Sequence, residues 1–286
     1  MSPSPRIALA TCSEFPQLDV DDQLLVPALA ARGIEAVPQI WDEPFTDWWA
    51  FDLVVVRNTW DYVGRSEEFL TWARSIKQLV NPADVLAWSA DKRYLIDLRD
   101  ARIPIVPTII VEPGERFPLI EAEVVVKPVE SGGARDTERH DRDSARDAEI
   151  LAQRIHASGR AALVQPYISG VEERGETALI YFGGEFSHAI HKGPLLTPGV
   201  PMVGGLFREE QIEAREPLPA ERALGDRTIA YVTARFGPLA YARIDVLPAL
   251  GAHLVLEVEL VEPSLFIATS PGAPDRLAAA IAKPLP

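Results

Sequence analysis

Residues 253–266 read HLVLEVELVEPSLF, and they place two carboxylates inside an otherwise apolar strand. Successive side chains of a strand point to opposite faces, so Glu257 and Glu259 share one face. Two like charges side by side in a partly buried site disfavour joint ionisation unless a cation neutralises them. The stretch therefore predicts one of two things, a solvated strand face or a site for a divalent metal ion.

The segment that precedes this strand supplies a third carboxylate. Residues 241–247 read YARIDVL, which places Arg243 and Asp245 on one face of a second strand. If the two strands pair, Asp245 converges with Glu257 and Glu259, and Arg243 lies beside them. Oxygen ligands without sulfur or imidazole favour Mg²⁺ or Mn²⁺, which usually bridge protein carboxylates to nucleotide phosphates.

The overall composition narrows the class of ligand. The chain has 286 residues, 47% of them hydrophobic, which is enough for packed cores in two or three domains. Its 28 basic and 42 acidic residues give a net charge of −14, which opposes binding to nucleic acid or to a membrane and favours a small-molecule substrate. A single cysteine, Cys12, excludes an internal disulfide framework. Without a secretory pattern or a long apolar run, we expect a cytoplasmic location.

The succession of apolar and amphipathic segments predicts three domains. Residues 1–85 alternate strands and helices in a parallel α/β pattern without a GxGxxG motif, and they form a candidate substrate domain. Residues 86–168 predict a small α+β lobe. Residues 169–286 predict a second α+β lobe that contains a hairpin turning at Gly183 and Gly184. Helices of the two lobes are predicted at 91–101, at 144–157, at 219–236 and from about 274.

A lysine at the end of a buried strand suggests a phosphate site. Lys127 closes the run VVVKP, where a cation is costly unless an anion meets it. The loop Ser131, Gly132 and Gly133 follows, and its backbone N–H groups can turn towards phosphate oxygens. A simple hairpin turn is the alternative for this loop. Lys92, at a helix start, is by itself an ordinary surface lysine.

In their order along the chain, these stretches resemble the ATP-grasp ligases, especially their glutathione synthetase-like branch. The resemblance covers residues 88–270 and rests on DK at 91–92, VVVKP at 124–128, the SGG loop, VQPYI at 164–168, GE at 175–176, RID at 243–245 and LEVELVEPS at 256–264. It implies an ATP-grasp architecture, in which an N-terminal Rossmann-like domain precedes two α+β lobes that clamp ATP.

The resemblance also implies roles for individual residues. Phosphates would be held by Lys92 and Lys127, and reached by Lys192 and Arg243. Adenine would contact Gln165 and the backbone of Tyr167 and Ile168, and Glu176 would contact the ribose. The metal ligands would be Asp245, Glu257 and Glu259. The family most often has Asn where this chain has Glu259, which implies either an altered preference between Mg²⁺ and Mn²⁺ or a degenerate site. The presence of both lysines and of Arg243 argues against degeneration.

The substrate region is less well defined. Arg57 ends a strand in RNTWDY, where it can hold a carboxylate, with Asn58 and Asp61 available for an amino group. A structural ion pair between Arg57 and Asp61 is the alternative. Ser264 matches a position that contacts substrate in related ligases. The Pro- and Gly-rich stretch 193–207 is either a lid or a surface loop.

The reaction that the resemblance implies begins with a substrate carboxylate attacking the γ-phosphate of ATP. The acyl phosphate is then captured by an amine or another nucleophile, and ADP and phosphate are released. ALATC, RNTWDY and SHAIHKGPLL are also similar to stretches of the cyclo-ligase of cycloserine biosynthesis, which closes an amino acid derivative into a ring. A kinase on the same scaffold and a nucleotide-binding regulator without turnover are the alternatives. Related ligases often form dimers, so a homodimer is an open expectation.

Overall fold

The N-terminal part of the fold is a parallel sheet with a helix on each face. The computed structural model describes residues 4–133, 135–194, 196, 212–249 and 251–285. Sheet order is β2-β1-β3-β4, formed by β1 (Arg6–Thr11), β2 (Glu35–Ile40), β3 (Leu53–Asn58) and β4 (Leu79–Val80). Alternate residues of β1 and β3 enter two separate cores, one with α1 (Leu25–Ala30) and one with α2 (Ser66–Ser75). This two-sided burial explains why both strands are continuous apolar runs.

Two short helices connect this sheet to the rest of the molecule. They are α3 (Ala83–Ala90) and α4 (Tyr94–Asp100), so the helix predicted at 91–101 is shorter than expected, and α3 was not predicted. Helix α4 lies in the predicted small lobe by sequence, yet it packs into the core of the C-terminal sheet. Helix α3 crosses the predicted boundary at 85 and contributes to both cores, with Val85 in the C-terminal core and Leu86 and Ala90 in the N-terminal core. Ser89 Oγ donates to the carbonyl of Val258 over 3.0 Å, and the Tyr94 hydroxyl accepts the Val258 N–H over 2.8 Å.

The small lobe is a four-stranded antiparallel sheet covered by one helix. Its order is β5-β8-β6-β7, from β5 (Ile109–Val111), β6 (Val124–Pro128), β7 (Glu138–His140) and β8 (Ala162–Pro166). Helix α5 (Ala145–Ala157) buries its apolar stripe against these strands, and the prediction of a helix at 144–157 is confirmed. The strand β6 carries Lys127 near its C-terminal end.

The C-terminal part is a five-stranded antiparallel sheet in the order β11-β10-β9-β12-β13. A short helix α6 (Gly170–Arg174) precedes β9 (Glu176–Phe182), β10 (Glu185–Lys192) and β11 (Ile212–Arg215), and α7 (Pro219–Phe236) precedes β12 (Tyr241–Ala249) and β13 (Ala252–Glu259). The β9–β10 hairpin turns at Gly183 and Gly184, which both have positive φ, as predicted.

The N-terminal and C-terminal parts share one core. Helix α7 covers one face of the C-terminal sheet, and α8 (Ala273–Ala282) covers the other. Leu277 and Ile281 of α8 lie in the same apolar cluster as Leu25 and Leu29 of α1. Each of the three predicted domains contains the strands of one sheet. The domain boundaries at 85 and 168 themselves stay a prediction. Most of the stretch 193–207, with its predicted lid, lies outside the described residues.

Candidate active site

A single cavity brings together most of the predicted site residues. Its volume is about 290 Å³, and it lies between the small lobe and the C-terminal sheet. Every residue proposed for ATP or metal binding lines it, as does Ser264. These residues are Lys92, Lys127, Ser131, Gly132, Gly133, Gln165, Tyr167, Ile168, Glu176, Lys192, Arg243, Asp245, Glu257 and Glu259.

The floor of the cavity is the antiparallel pair β12 and β13. Their register sets Asp245 opposite Glu257 and Arg243 opposite Glu259, so the strand pairing on which the predicted carboxylate cluster depends is present. Arg243 Nε donates to Asp245 Oδ1 over 2.9 Å, and Arg243 also pairs with Glu259. Lys192 Nζ, from β10, donates to Asp245 Oδ2 over 2.8 Å. This face therefore alternates negative and positive charge.

The paired cations decide how the buried acids ionise. Burial opposes the charge of Asp245, but Arg243 and Lys192 outweigh it and hold the pKa of Asp245 well below its usual range. Burial also opposes the charge of Glu257, yet Lys127 and Lys92 lower its pKa to about 2. Burial dominates at Glu259, whose pKa is raised, with Asp245 and Glu257 adding to the effect. Asp245, Glu257 and Glu259 together form an acidic platform on β12 and β13. Asp245 and Glu257 are therefore the firmly ionised members of this platform at neutral pH.

The two lysines assigned to phosphates lie next to this acidic platform. Lys127 Nζ donates to Glu257 Oε1, and Lys92 Nζ lies 4.0 Å from the same oxygen. Lys92 Nζ also donates to the carbonyl of Ser131 over 2.8 Å, which ties it to the SGG loop. Both lysines are almost fully buried. Ammonium groups held so close to carboxylates and to a glycine loop form a compact site for an anion of high charge.

The donor chemistry of the platform fits a hard divalent cation. Asp245, Glu257 and Glu259 offer only oxygen, which Mg²⁺ and Mn²⁺ prefer. Within the described ranges, no three Asp, Glu, His or Cys side chains stand in an arrangement that is ready to hold a metal. Each candidate acid is instead paired with a lysine or an arginine. These cations are the groups that nucleotide phosphates would attract.

The predicted adenine side lies on β8 and the residues after it. Gln165 Nε2 donates to Thr108 Oγ1 over 2.9 Å, which fixes the amide at the cavity wall. The N–H of Tyr167 donates to the carbonyl of Glu123 over 2.8 Å, and its ring lies 3.5 Å from the Arg139 guanidinium. Tyr167 would therefore contact a base through its carbonyl oxygen, because its N–H is engaged.

Glu176 lies where β9 begins, next to Lys192. Lys192 Nζ donates to Glu176 Oε1 over 2.7 Å. Burial raises the pKa of Glu176 to about 8, partly offset by Lys192 and reinforced by Asp245. The protonated form of this carboxyl can donate a hydrogen bond as well as accept one.

Three of the predicted substrate residues do not line the cavity, and their assignment is corrected. The Arg57 guanidinium is fully buried and donates to Asp22 through Nε and Nη2, at 3.1 Å each. Asn58 is fully buried and donates to the same Asp22 carboxylate over 2.7 Å. Asp61 accepts the Trp41 indole N–H over 2.8 Å. The alternative of an Arg57–Asp61 ion pair is also wrong, because the partner of Arg57 is Asp22.

Arg57 instead helps to hold the segment 260–268, which follows β13 and borders the cavity. Its Nη2 donates to the Pro263 carbonyl over 2.8 Å, and Trp60 Nε1 donates to the Glu262 carbonyl over 3.0 Å. The Tyr241 hydroxyl donates to the carbonyl of Val261 over 2.9 Å, and Asn81 Nδ2 to that of Leu260 over the same distance. The segment is therefore fixed by side chains from distant parts of the sequence.

Three further residues that line the cavity were not predicted as site residues from the sequence. Trp60 and Tyr62 lie on a 3₁₀ turn of the N-terminal part, and Glu262 lies on the segment 260–268. Burial raises the pKa of Glu262 to about 8, and Glu259 adds to the effect. The polar residues of RNTWDY suggested a substrate site, whereas its aromatic residues are the ones that reach the cavity. For Glu262 the available signal was a third acid in the same LEVELVEPS stretch.

Comparison with known proteins gives the family. The family model described as the N-terminal domain of D-cycloserine synthetase DcsG matches residues 7–81. The cycloserine biosynthesis protein DcsG of Streptomyces lavendulae is 35% identical over 298 aligned positions that cover 98% of each chain. The chain belongs to the DcsG family of ATP-grasp ligases.

Solved structures agree with this membership. A crystal structure of D-cycloserine synthetase DcsG matches with a TM-score of 0.90 and 34% identity, over 98% of this chain and all of the other (100%). The D-alanine–D-alanine ligase of Bacillus anthracis, complexed with ATP, matches with a TM-score of 0.67 at 16% identity, over 98% and 96% of the two chains. A RimK domain ATP-grasp protein of Sphaerobacter thermophilus matches with a TM-score of 0.68 at 21% identity, over 96% and 98%.

These findings confirm the predicted ATP-grasp architecture and the ligase class of this DcsG-family chain. The kinase and regulator alternatives are not favoured, because the full-length relative is named a cycloserine biosynthesis protein and the DcsG structure at 34% identity is named a D-cycloserine synthetase. Among the described residues, no helix combines the length and apolar character that a membrane crossing requires.

Proposed function

We propose that this chain uses ATP to close an amino acid derivative into a cycloserine-type ring. The proposal is carried by one observation, a cavity in which five basic and five acidic side chains surround a space suited to the triphosphate end of a nucleotide and a small acid. The full-length similarity to DcsG supplies the product class. In cycloserine, the former carboxyl carbon is bonded to a nitrogen that sits on the side-chain oxygen. One substrate molecule therefore provides both the carboxylate and the nucleophile.

The proposed reaction has two steps. A carboxylate oxygen of the substrate attacks the γ-phosphorus of ATP, the bond to the bridging oxygen breaks, and ADP leaves. The nitrogen on the side-chain oxygen then attacks the acyl carbon, the carbon–oxygen bond to phosphate breaks, and inorganic phosphate leaves with loss of one proton from nitrogen. Both steps depend mainly on positioning and on neutralisation of phosphate charge.

Residue roles follow from the charges that line the cavity. Lys92 and Lys127 would bind phosphate oxygens together with the loop Ser131–Gly133, and Lys192 and Arg243 would stabilise the transferring group. Gln165, Tyr167 and Ile168 would hold adenine, and Glu176 the ribose. A divalent cation held by Asp245, Glu257 and Glu259 would neutralise phosphate charge. Ser264 would contact the substrate.

The experiment combines product analysis with trapping. The purified chain is incubated with ATP, Mg²⁺ and a panel of D- and L-serine derivatives that carry nitrogen on the side-chain oxygen. ADP release is followed by a coupled assay, and the ring product by mass spectrometry. Hydroxylamine should divert the acyl phosphate to a hydroxamate. AMP and pyrophosphate as products, or a stable phosphorylated product that hydroxylamine does not divert, would contradict the proposal.

The variant Lys127→Ala tests the phosphate site. Lys127 is nearly buried and faces the cavity, so its loss should lower ADP release at least about 100-fold, as the removal of a preorganised charge donor usually does. Lys77→Ala removes an exposed lysine from the loop after α2 and serves as the matched control. Equal rates of ADP release for the two variants would show that Lys127 does not belong to the phosphate site.

A homodimer and a cytoplasmic location stay predictions.

A further inference from the structure

Glu262 is a cavity carboxyl that the phosphate and metal assignments do not use. It lies three residues beyond Glu259, outside β13, and its side chain lines the same cavity. Its electrostatic neighbours in the described ranges include the Glu259 carboxylate, the Lys92 ammonium and the Tyr62 hydroxyl. Lys92, however, donates its short hydrogen bonds to Ser131. Burial and the Glu259 carboxylate disfavour the charge of Glu262, so a cation that binds beside it would stabilise the ionised form of this carboxyl.

The backbone that carries Glu262 is held rigidly. Its carbonyl accepts the Trp60 indole N–H over 3.0 Å, and the carbonyl of Pro263, one residue later, accepts from the buried Arg57. The carbonyl before it, that of Val261, accepts from the Tyr241 hydroxyl. A side chain on such a segment loses little further conformational freedom when it binds a ligand, which favours selective recognition.

The aromatic residues beside Glu262 suit a cation. Trp60 and Tyr62 both line the cavity next to it, and Tyr62 is itself fixed by stacking on Phe69 at a centroid distance of 4.6 Å. A carboxylate with a hydroxyl and aromatic rings around it is a common arrangement for binding an ammonium group. The same cavity also holds the lysines and Arg243, which attract the carboxylate and phosphates instead.

We propose that Glu262, with Trp60 and Tyr62, binds the α-ammonium group of the amino acid substrate and so selects amino acids over other small acids. This inference rests on the proposed function, in which the substrate carboxyl is consumed beside Lys192 and Arg243. The ammonium group then lies towards Glu262, which orients the substrate. Glu262 is thus a specificity-determining residue whose effect should appear in substrate binding.

The test uses two ligands that differ only in the α-amino group, O-methyl-D-serine and 3-methoxypropanoate. Their affinities are measured by calorimetry with the full chain, a non-hydrolysable ATP analogue and Mg²⁺, so that no turnover is needed. The wild type should bind O-methyl-D-serine at least about tenfold more tightly, as expected for a charged hydrogen bond. Glu262→Gln should abolish the difference, mainly by weakening the amino ligand, while affinity for the ATP analogue stays unchanged.

Two further variants guard against a purely structural effect. Glu262→Asp keeps the charge and should retain a measurable preference for the amino ligand, even if Glu262→Gln folds poorly. Glu149→Gln alters an exposed glutamate on α5 and should behave as wild type. The inference is overturned if the wild type binds both ligands equally or neither, or if Glu262→Gln or Glu262→Asp changes both affinities by the same factor. Failure of the proposed function would appear separately, as absent ADP release and ring product with every serine derivative.

Discussion

Glu259 is the residue at which the site departs from the usual ATP-grasp pattern, which has Asn at this position. It lies opposite Arg243 in the strand register and pairs with that guanidinium. Burial and the neighbouring acids raise its pKa, whereas Asp245 and Glu257 are held ionised by lysines and Arg243. Glu259 therefore provides an additional potential metal ligand, and its ionisation depends on which cation lies beside it.

The variant Glu259→Asn tests whether this departure matters. Cation affinity of an oxygen site rises with the number of charged ligands, so the variant should need about tenfold more Mg²⁺ for half-maximal ADP release. The measurement is a titration of activity against Mg²⁺ and, separately, Mn²⁺. Glu185→Asn, at an exposed hairpin position, is the control. Unchanged requirements for both metals would show that the departure is incidental.

At the scale of elements, the main observation is how β12 and the segment 260–268 are joined. Tyr241, at the start of β12, is fully buried, and its hydroxyl lies 2.8 Å from the carbonyl of Val56 and 2.9 Å from that of Val261. It thereby links the N-terminal sheet to the segment that carries Glu262 and Ser264. This link couples the geometry of the cavity wall to the packing of β3.

Tyr241→Phe should remove this link without leaving a cavity. Buried carbonyls then lose a donor, so the free energy of unfolding should fall by about 1–3 kcal/mol. Urea denaturation measures the change, with Tyr231→Phe on the partly exposed side of α7 as the control. A loss no larger than that of the control would mean that the hydroxyl contributes nothing to stability.

His188 of β10 gives a pH-dependent contribution from the same region. Its Nε2 lies 2.9 Å from the carbonyl of Leu265, and burial lowers the pKa of the imidazole, with Arg276 adding to the effect. The unfolded chain then binds the proton more readily than the folded chain. Stability from the neutral ring is therefore present above the ordinary pKa of about 6.5 and is lost as the pH falls below it.

His188→Gln keeps a donor for the Leu265 carbonyl but cannot be protonated. We expect wild type to lose more stability than this variant when the pH is lowered from 7.5 to 5.5, since the other titrating groups are common to both proteins. Melting temperatures of both proteins at the two pH values provide the comparison. Parallel shifts would exclude His188 as a source of acid sensitivity.

At the scale of the whole molecule, the N-terminal and C-terminal parts are held together by a common core. Helix α8 comes from the end of the chain and packs between α1 and the C-terminal sheet. The Asp21 carboxylate adds a polar link, because it accepts the N–H groups of Ile267 and Ala268 at 2.8 Å each. The N-terminal sheet and the platform should therefore unfold together.

Leu277→Ala measures this coupling. Leu277 is fully buried in the shared core, so its truncation should lower the free energy of unfolding by about 2–5 kcal/mol. Fluorescence of the tryptophans, most of which lie in the N-terminal part, and circular dichroism should report one common transition. Leu119→Ala removes a side chain that is 84% exposed and should change little. Two separate transitions in the wild type would contradict a common core.

Much of the fold was predicted from local signals in the sequence, and most of the candidate nucleotide residues from the resemblance to ATP-grasp ligases. The apolar runs of β1 and β3, the glycine pair of the β9–β10 turn and the α7 pattern each depend on neighbouring residues. The alternation within RID and EVE fixed which side chains share a face. Charged side chains on such buried faces need partners, so their convergence could be predicted before their distances were known.

The tertiary structure decided which partner each buried charge has and what surrounds the substrate. Arg57 ends a strand like a ligand-binding arginine, yet Asp22, brought close by folding, neutralises it. Helix α4 follows the N-terminal sheet in sequence but packs on the C-terminal one, and α3 packs on both. Trp60, Tyr62 and Glu262 meet only because the sheets are docked. Local patterns fix faces and element types, whereas pairing across long sequence separations depends on how the elements pack, which no single stretch encodes.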